Sequence, residues 1–215
     1  MPLDRKQLRL QTKEWRINLS ALEQQNLAET ISANLINLDV FKHSKTIGLY
    51  MSTQGEVSTA PILEYAWQHR KLCYLPILQQ DARQNKFLAF GKYNKNDILK
   101  DNKYAIAEPV TSLSEQISGM KLDLVIVPLV AFDANCNRLG YGGGYYDRTF
   151  AAKQQLAPHS APILVGLAYE LQKVSELAHE KWDVPLDYVM TEKKLYFRKD
   201  EHKETHRKQI KQGKS

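Results

Sequence analysis

Apolar positions recur along this chain in two rhythms, one helical and one strand-like, and their alternation predicts the architecture. Over residues 4–19, Leu8, Trp15 and Leu19 stand among cations at a spacing that predicts a basic amphipathic helix. Ser20 and Glu23 have the spacing of a capping box, so a second helix is expected from there to about Leu38. Residues 45–51 (KTIGLYM) predict a short buried strand. Ser58, Thr59 and Pro61 then predict a helix start, with a hydroxyl cap and proline in the first turn. That helix is expected to end near His69, Arg70 and Lys71, whose cations suit a negative C-terminal dipole. Residues 71–75 (KLCYL) read as the next strand, stopped by Pro76.

From residue 79 to 109 the pattern weakens into an irregular β region around short pieces such as residues 86–90 (KFLAF). Residues 122–132 (LDLVIVPLVAF) are almost continuously apolar, as a central parallel strand buried on both faces would be. A glycine-rich run follows, and residues 145–153 read as the helix that leaves it. Residues 162–168 (PILVGLA) predict another buried strand, and residues 186–190 and 195–197 a last edge. This alternation implies an α/β fold, a three-layer α/β/α sandwich with a mostly parallel central sheet. No repeat or long linker divides it, so one domain is expected over residues 1–199, followed by a basic, disordered tail at 200–215.

Composition narrows the setting. A chain of 215 residues, 43% hydrophobic, can bury one sizeable core. No apolar run approaches the roughly 18 residues of a membrane span, and the N-terminus lacks the apolar segment of a secretory signal. Cys73 and Cys136 lie far apart, so reduced thiols in a cytoplasmic protein are expected. The net charge of +6 suggests nucleic acid at first sight. Residues 193–215, however, carry nine Lys or Arg against three Asp or Glu, which accounts for all of it. The charge therefore belongs to a solvated tail, with contact to a polyanion as the lesser alternative.

The chemistry concentrates in residues 138–148, RLGYGGGYYDR, where four of the chain's ten glycines fall within five residues. Glycine costs folding entropy, so such a run implies a sharp bend or a close approach of backbone to a ligand. Arg138 can pair with phosphate oxygens, the tyrosines can line a flat ring, and Asp147 can hold magnesium. In open α/β sheets, ligands gather beyond the carboxyl ends of the strands, where backbone N–H groups and a helix start form an anion nest. The run is neither a Walker loop, since Tyr145 and Tyr146 stand where Lys and Ser or Thr are needed, nor the dinucleotide pattern. A phosphate-handling enzyme is expected; a purely structural turn is the alternative.

This run, preceded by VPLVAFDANCN and accompanied by RKQLR, IGLYMSTQGEVST and WDVPLDYVMT, resembles the 5-formyltetrahydrofolate cyclo-ligases, or methenyltetrahydrofolate synthetases. The resemblance extends from about Arg5 to Met190. It implies ATP- and magnesium-dependent conversion of 5-formyltetrahydrofolate to 5,10-methenyltetrahydrofolate with release of ADP and phosphate. The route it implies is phosphorylation of the formyl oxygen, then attack by the neighbouring folate nitrogen. Arg5, Lys6 and Arg9 match the N-terminal ATP contact; the family pattern has lysine where Arg5 stands, so Arg5 and Lys6 are alternatives. Arg138, Leu139, Gly140, Tyr141, Gly142, Gly143, Gly144, Tyr145 and Tyr146 match the loop around ATP.

The middle of that loop, Tyr141 to Tyr145, also matches the folate contact, together with Met51 and Glu56. A carboxylate at Glu56 suits the adjacent N–H donors of a pterin. The resemblance assigns catalysis to Arg138, Tyr145 and Asp147, and magnesium to Asp147 and Asp183, with Asp187 the more structural alternative. Some relatives carry basic residues where Tyr141 and Gly143 stand; here phosphate binding would fall to backbone N–H groups and Arg138. A monomer with no membrane or nucleic-acid partner is implied. The competing expectation is a non-catalytic relative that uses its tail on nucleic acid, against which the retention of Arg138 and Asp147 weighs.

Overall fold

The computed structural model describes residues 4–157 and 159–198. The expected tail, 200–215, lies outside the described residues. Helix α1 (Arg5–Asn18) opens on a capping box in which Asp4 and Gln7 exchange side-chain and backbone hydrogen bonds. Its inward stripe is mixed, cationic and apolar: Thr12 and Arg16 are buried, Arg5, Leu8, Arg9 and Leu19 half-buried, and Trp15 is 42% exposed. Leu8 packs against the cluster of Val130, Ala131, Leu139 and Leu177, and Leu19 against the main core, as expected; only Trp15 departs from the expected face. Beside these apolar contacts, the arginines of the helix reach carboxylates and carbonyls.

Helix α2 (Ala21–Ile36) starts at the expected Ser20–Glu23 box and buries Ala28, Ile31 and Leu35. A short α3 (Asp39–His43) follows, which periodicity did not reveal. Helix α4 (Ala60–Gln68) has Pro61 in its first turn, but no side-chain cap at Thr59. The Thr59 hydroxyl donates instead to the carbonyl of Tyr50 at 2.7 Å. The Lys71 ammonium caps α3 rather than α4, donating to the carbonyls of Phe41, Lys42 and Ser44 at 2.9, 2.9 and 2.7 Å.

The strands are β1 (Thr46–Gly48), β2 (Leu72–Gln80), β3 (Lys86–Lys92), β4 (Leu99–Asp101), β5 (Ala107–Pro109) and β6 (Ile117–Ser118). After them come β7 (Leu124–Val127), β8 (Ala131–Phe132), β9 (Arg138–Leu139), β10 (Ile163–Leu167), β11 (Tyr188–Met190) and β12 (Leu195–Phe197). Eight of them form one sheet in the order β12-β11-β10-β7-β1-β2-β3-β6. The five from β11 to β2 are parallel, and antiparallel strands finish both sides. Helices α2 to α4 cover one face through Ile31, Leu35, Phe41 and Ile62. The other face packs Phe90, Val125, Phe132 and Leu164 against Phe150 and Leu186. The α/β expectation with a mostly parallel sheet is met.

Two prolines depart from their expected roles. Pro76 lies inside β2, opposite Phe90 of β3. Its nitrogen points away from β3, on the side where Leu78 donates to the Glu108 carboxylate at 2.9 Å, so no ladder bond is lost. Pro128, by contrast, follows the end of β7, which is flanked by β1 and β10. The apolar run 122–132 is therefore split, and its last residues pair with β9 in a hairpin, Ala131 with Leu139 and Phe132 with Arg138. The buried Asp133 carboxylate ties the turn by accepting from the N–H groups of Asn135 and Asn137 at 2.9 and 3.1 Å. This hairpin delivers the glycine run. The helix beyond it, α5 (Tyr145–Thr149), is shorter than expected and passes into a 3-10 turn at Ala151–Gln155.

Candidate active site

After β1 the chain builds outward through β2 and β3, and then returns to place β7 on the opposite side of β1. Ligands in open α/β sheets bind at such a reversal, beyond the strand carboxyl ends. Two segments emerge there: residues 49–57 after β1, and the glycine run after the β8–β9 hairpin. Tyr50 pins the first by donating to the Val57 carbonyl at 2.8 Å. In the second, Gly142 and Gly144 have φ of +96° and +64°, a region that favours glycine, and Gly144 caps α5.

The two ends of the glycine run are joined. Arg138 donates to Asp147 Oδ1 at 2.6 Å, and the same oxygen accepts from the Val184 N–H at 3.1 Å. Arg5 pairs with Asp183 Oδ2 at 2.6 Å and also donates to the Ala178 carbonyl at 2.8 Å. Asp147 is thus tied to the residue next to Asp183, and each carboxylate lies beside an arginine. Asp147 Oδ2 and Asp183 Oδ1 accept no hydrogen bond among the described residues. No third His, Cys, Asp or Glu completes a cluster there among the described residues. Two hard carboxylate oxygens suit magnesium, which fills its remaining positions with water and phosphate oxygens. Asp187 is differently engaged: buried, it pairs with Lys153 at 3.1 Å and accepts from the N–H groups of Leu164 and His159.

Arg9 donates from Nε to the Gly140 carbonyl at 2.9 Å, and its guanidinium lies over Gly142. Arg9 therefore faces the glycine run and Arg5 faces Asp183, whereas Lys6 is exposed. Burial and the neighbouring Arg5 charge lower the Arg9 pKa, while Asp183 opposes them.

On the other side of the run, Tyr141 donates to Glu56 Oε1 at 2.6 Å and accepts from Arg16 Nη1 at 2.7 Å. Glu56 Oε2 accepts from the Thr53 N–H at 2.8 Å. Burial pushes the Glu56 pKa up, against the hydrogen bonds from Tyr141 and Thr53 and the Arg16 charge. Met51 is half-buried on the core, three residues beyond β1. A cleft of about 480 Å³ opens beside Glu56, with Gln24, Ser52, Thr53 and Pro61 in its walls. Arg148 ties the loop to β3 by donating to the carbonyls of Gly143 and Lys86.

Tyr145 meets Tyr104 from the β4–β5 turn, ring centroids 6.4 Å apart and nearly perpendicular. Burial, and a hydrogen bond between the two hydroxyls, push the Tyr145 pKa up to about 12. Tyr146 stacks on Phe150 at 6.2 Å. Sequence reasoning had missed Arg16 and Tyr104. Arg16 carried a readable signal, because it shares a helical face with Arg5 and Arg9; Tyr104 carried none.

Residues 3–192 match the 5-formyltetrahydrofolate cyclo-ligase family. The chain is 38% identical over 182 residues to the 5-formyltetrahydrofolate cyclo-ligase of Haemophilus influenzae, covering 85% of this chain and 94% of that one. It is 34% identical over 178 residues to the enzyme of the same name from Escherichia coli K12, with 83% and 94% covered. The NMR structure of Aquifex aeolicus 5,10-methenyltetrahydrofolate synthetase superimposes with a TM-score of 0.76 at 32% identity, covering 91% of this chain and 93% of that one.

Proposed function

The chain belongs to the 5-formyltetrahydrofolate cyclo-ligase family, and from that premise we propose that it uses ATP to close 5-formyltetrahydrofolate to 5,10-methenyltetrahydrofolate. The observation that carries this reading is the two-sided glycine run. Arginines and two carboxylates gather on one side of it, through Arg5, Arg9, Arg138, Asp147 and Asp183, and Glu56 reaches it from the other through Tyr141. An anionic nucleotide and a ring with adjacent N–H donors would meet over one strip of backbone.

A formamide oxygen is a poor leaving group. Transfer of the ATP γ-phosphoryl group to that oxygen forms the O–P bond, releases ADP and makes the formyl carbon electrophilic. The neighbouring folate nitrogen then attacks that carbon and gives up its proton to solvent, and the C–O bond breaks with phosphate carrying away the formyl oxygen. The attack is intramolecular, so the protein needs to orient partners and stabilise charge rather than supply a nucleophile. Arg5, rather than the exposed Lys6, acts with Arg9 and Arg138 on the phosphates. The N–H groups of the glycine run cradle them. Tyr145 lines the ring site, and Glu56 accepts from the ring donors. Magnesium held by Asp147 and Asp183 would neutralise phosphate charge when bound.

The test mixes purified protein with ATP, magnesium and 5-formyltetrahydrofolate and follows the longer-wavelength absorbance of the methenyl product. Absence of product beside an active family member would overturn the reading.

A further inference from the structure

Arg16 is 1% exposed, yet it belongs to a helix whose other arginines reach the surface of the site. We propose that Arg16 is a positioning residue, acting through the Tyr141 hydroxyl to hold Glu56 as an ionised acceptor for the folate ring. This rests on the proposed role of Glu56 as the ring contact.

The direction of the hydrogen-bond chain follows from donor chemistry. A guanidinium has donors only and stays charged. Its 2.7 Å contact with Tyr141 therefore occupies the phenol oxygen as an acceptor. The phenol proton is left to point at Glu56 Oε1, 2.6 Å away. Both Glu56 oxygens then act as acceptors, since Oε2 takes the Thr53 N–H at 2.8 Å and the Thr53 hydroxyl at 3.3 Å. A direct Arg16–Glu56 pair would occupy the carboxylate with two guanidinium donors. The interposed hydroxyl passes on the charge while leaving Oε1 a lone pair for a ligand donor.

The contact is also built into the backbone. Gly55, with φ +72°, lies so close to α1 that a Cβ there would sit 2.8 Å from the Arg16 carbonyl oxygen. That carbonyl is held in turn by the Gln24 amide at 3.0 Å. Helix α1, the loop bearing Glu56 and the glycine run are thereby fastened at one point. Arg16 lies over the Tyr141 ring as well, 5.6 Å from its centroid.

The titratable groups facing Glu56 are Arg16 from α1, Tyr50 after β1, Tyr141 of the run, Tyr146 of α5 and Tyr169 after β10. The four tyrosines are neutral at physiological pH, each raised by burial. Arg16 is thus the one permanent cation in this group.

Two readouts separate this role from plain packing. Carbon-13 NMR of the Glu56 carboxyl, assigned by its loss in Glu56→Gln, reports its titration in the unliganded protein without requiring turnover. Tyr141→Phe, a half-exposed position where only a hydroxyl is removed, is expected to move that titration to higher pH. It should also raise the folate KM about tenfold with a smaller change in kcat. Arg16→Lys, which keeps the charge, should show the same shifts to a lesser degree. An unmoved Glu56 titration in a folded Tyr141→Phe variant would overturn the relay, whatever the activity. If the titration moves and the folate KM does not, the proposed ring contact of Glu56 fails instead, and the positioning role fails with it.

Discussion

Arg138 and Asp147, nine positions apart, close the glycine run with an ion pair of 2.6 Å. The Arg138 side chain is only 5% exposed, so the pair is shielded from solvent on its cationic side. Because Asp147 also accepts from Val184, the shape of the run and the placement of the carboxylates are one arrangement.

Asp147→Asn therefore does two things at once. It leaves a buried guanidinium short of its counter-charge, costing about 1–3 kcal/mol of stability. It should also raise the magnesium concentration needed for turnover. Urea unfolding and a magnesium titration of rate measure the two effects, and an unchanged magnesium dependence would remove Asp147 from the metal site.

Asp183 and Asp187 should respond in opposite ways. Asp187→Asn breaks the buried pair with Lys153 and is expected to cost about 3–5 kcal/mol, with no change in the magnesium requirement of the folded fraction. Asp183→Asn loses a pair to an Arg5 side chain that is 36% exposed, worth below about 1 kcal/mol, while raising the magnesium requirement. The same two measurements on both variants decide this, and the reverse pattern would exchange their roles.

Gly142→Ala places a side chain at φ +96°, where the conformation itself is unfavourable by about 1–2 kcal/mol. The space beyond is occupied by the Arg9 guanidinium at 3.6 Å, an ordinary contact, so strain rather than collision dominates. The expected result is a higher ATP KM with a small loss of thermal stability. A wild-type ATP KM would show that the loop tolerates another backbone path.

For Glu56 the pH dependence has a definite sign. Burial, the largest influence, raises its pKa above the ordinary 4.5. A carboxyl raised on folding stabilises the fold most below its unfolded pKa, and that contribution is lost as pH rises through the folded value. The stability of Glu56→Gln relative to wild type should therefore increase from below pH 4.5 towards neutrality. Denaturant unfolding across that range tests this; a constant difference would contradict it.

What the sequence made legible was local or strongly patterned. The Ser20–Glu23 box starts α2 because both partners lie within one turn, and the apolar stretch around Val125 announces a strand buried on both faces. Pro76 and Pro128 look alike in sequence and behave differently, since the consequence of a missing N–H depends on whether a strand lies on that side. The partners of the α1 arginines, Asp183, Gly140 and Tyr141, were not legible because they are more than a hundred residues away in the chain. Tyr104 reaches Tyr145 only through the placement of the β4–β5 hairpin, which no local pattern encodes. The glycine run announced a sharply bent backbone, which Gly142 and Gly144 provide; its division into two sides required the fold.

The most direct measurement uses 5-formyltetrahydrofolate labelled with oxygen-18 at the formyl group, together with ATP, magnesium and wild-type protein. Phosphorylation of the formyl oxygen predicts methenyl product and inorganic phosphate carrying one labelled oxygen per turnover. Unlabelled phosphate, or no product beside an active family member, would contradict the account of two ligands meeting over the glycine run.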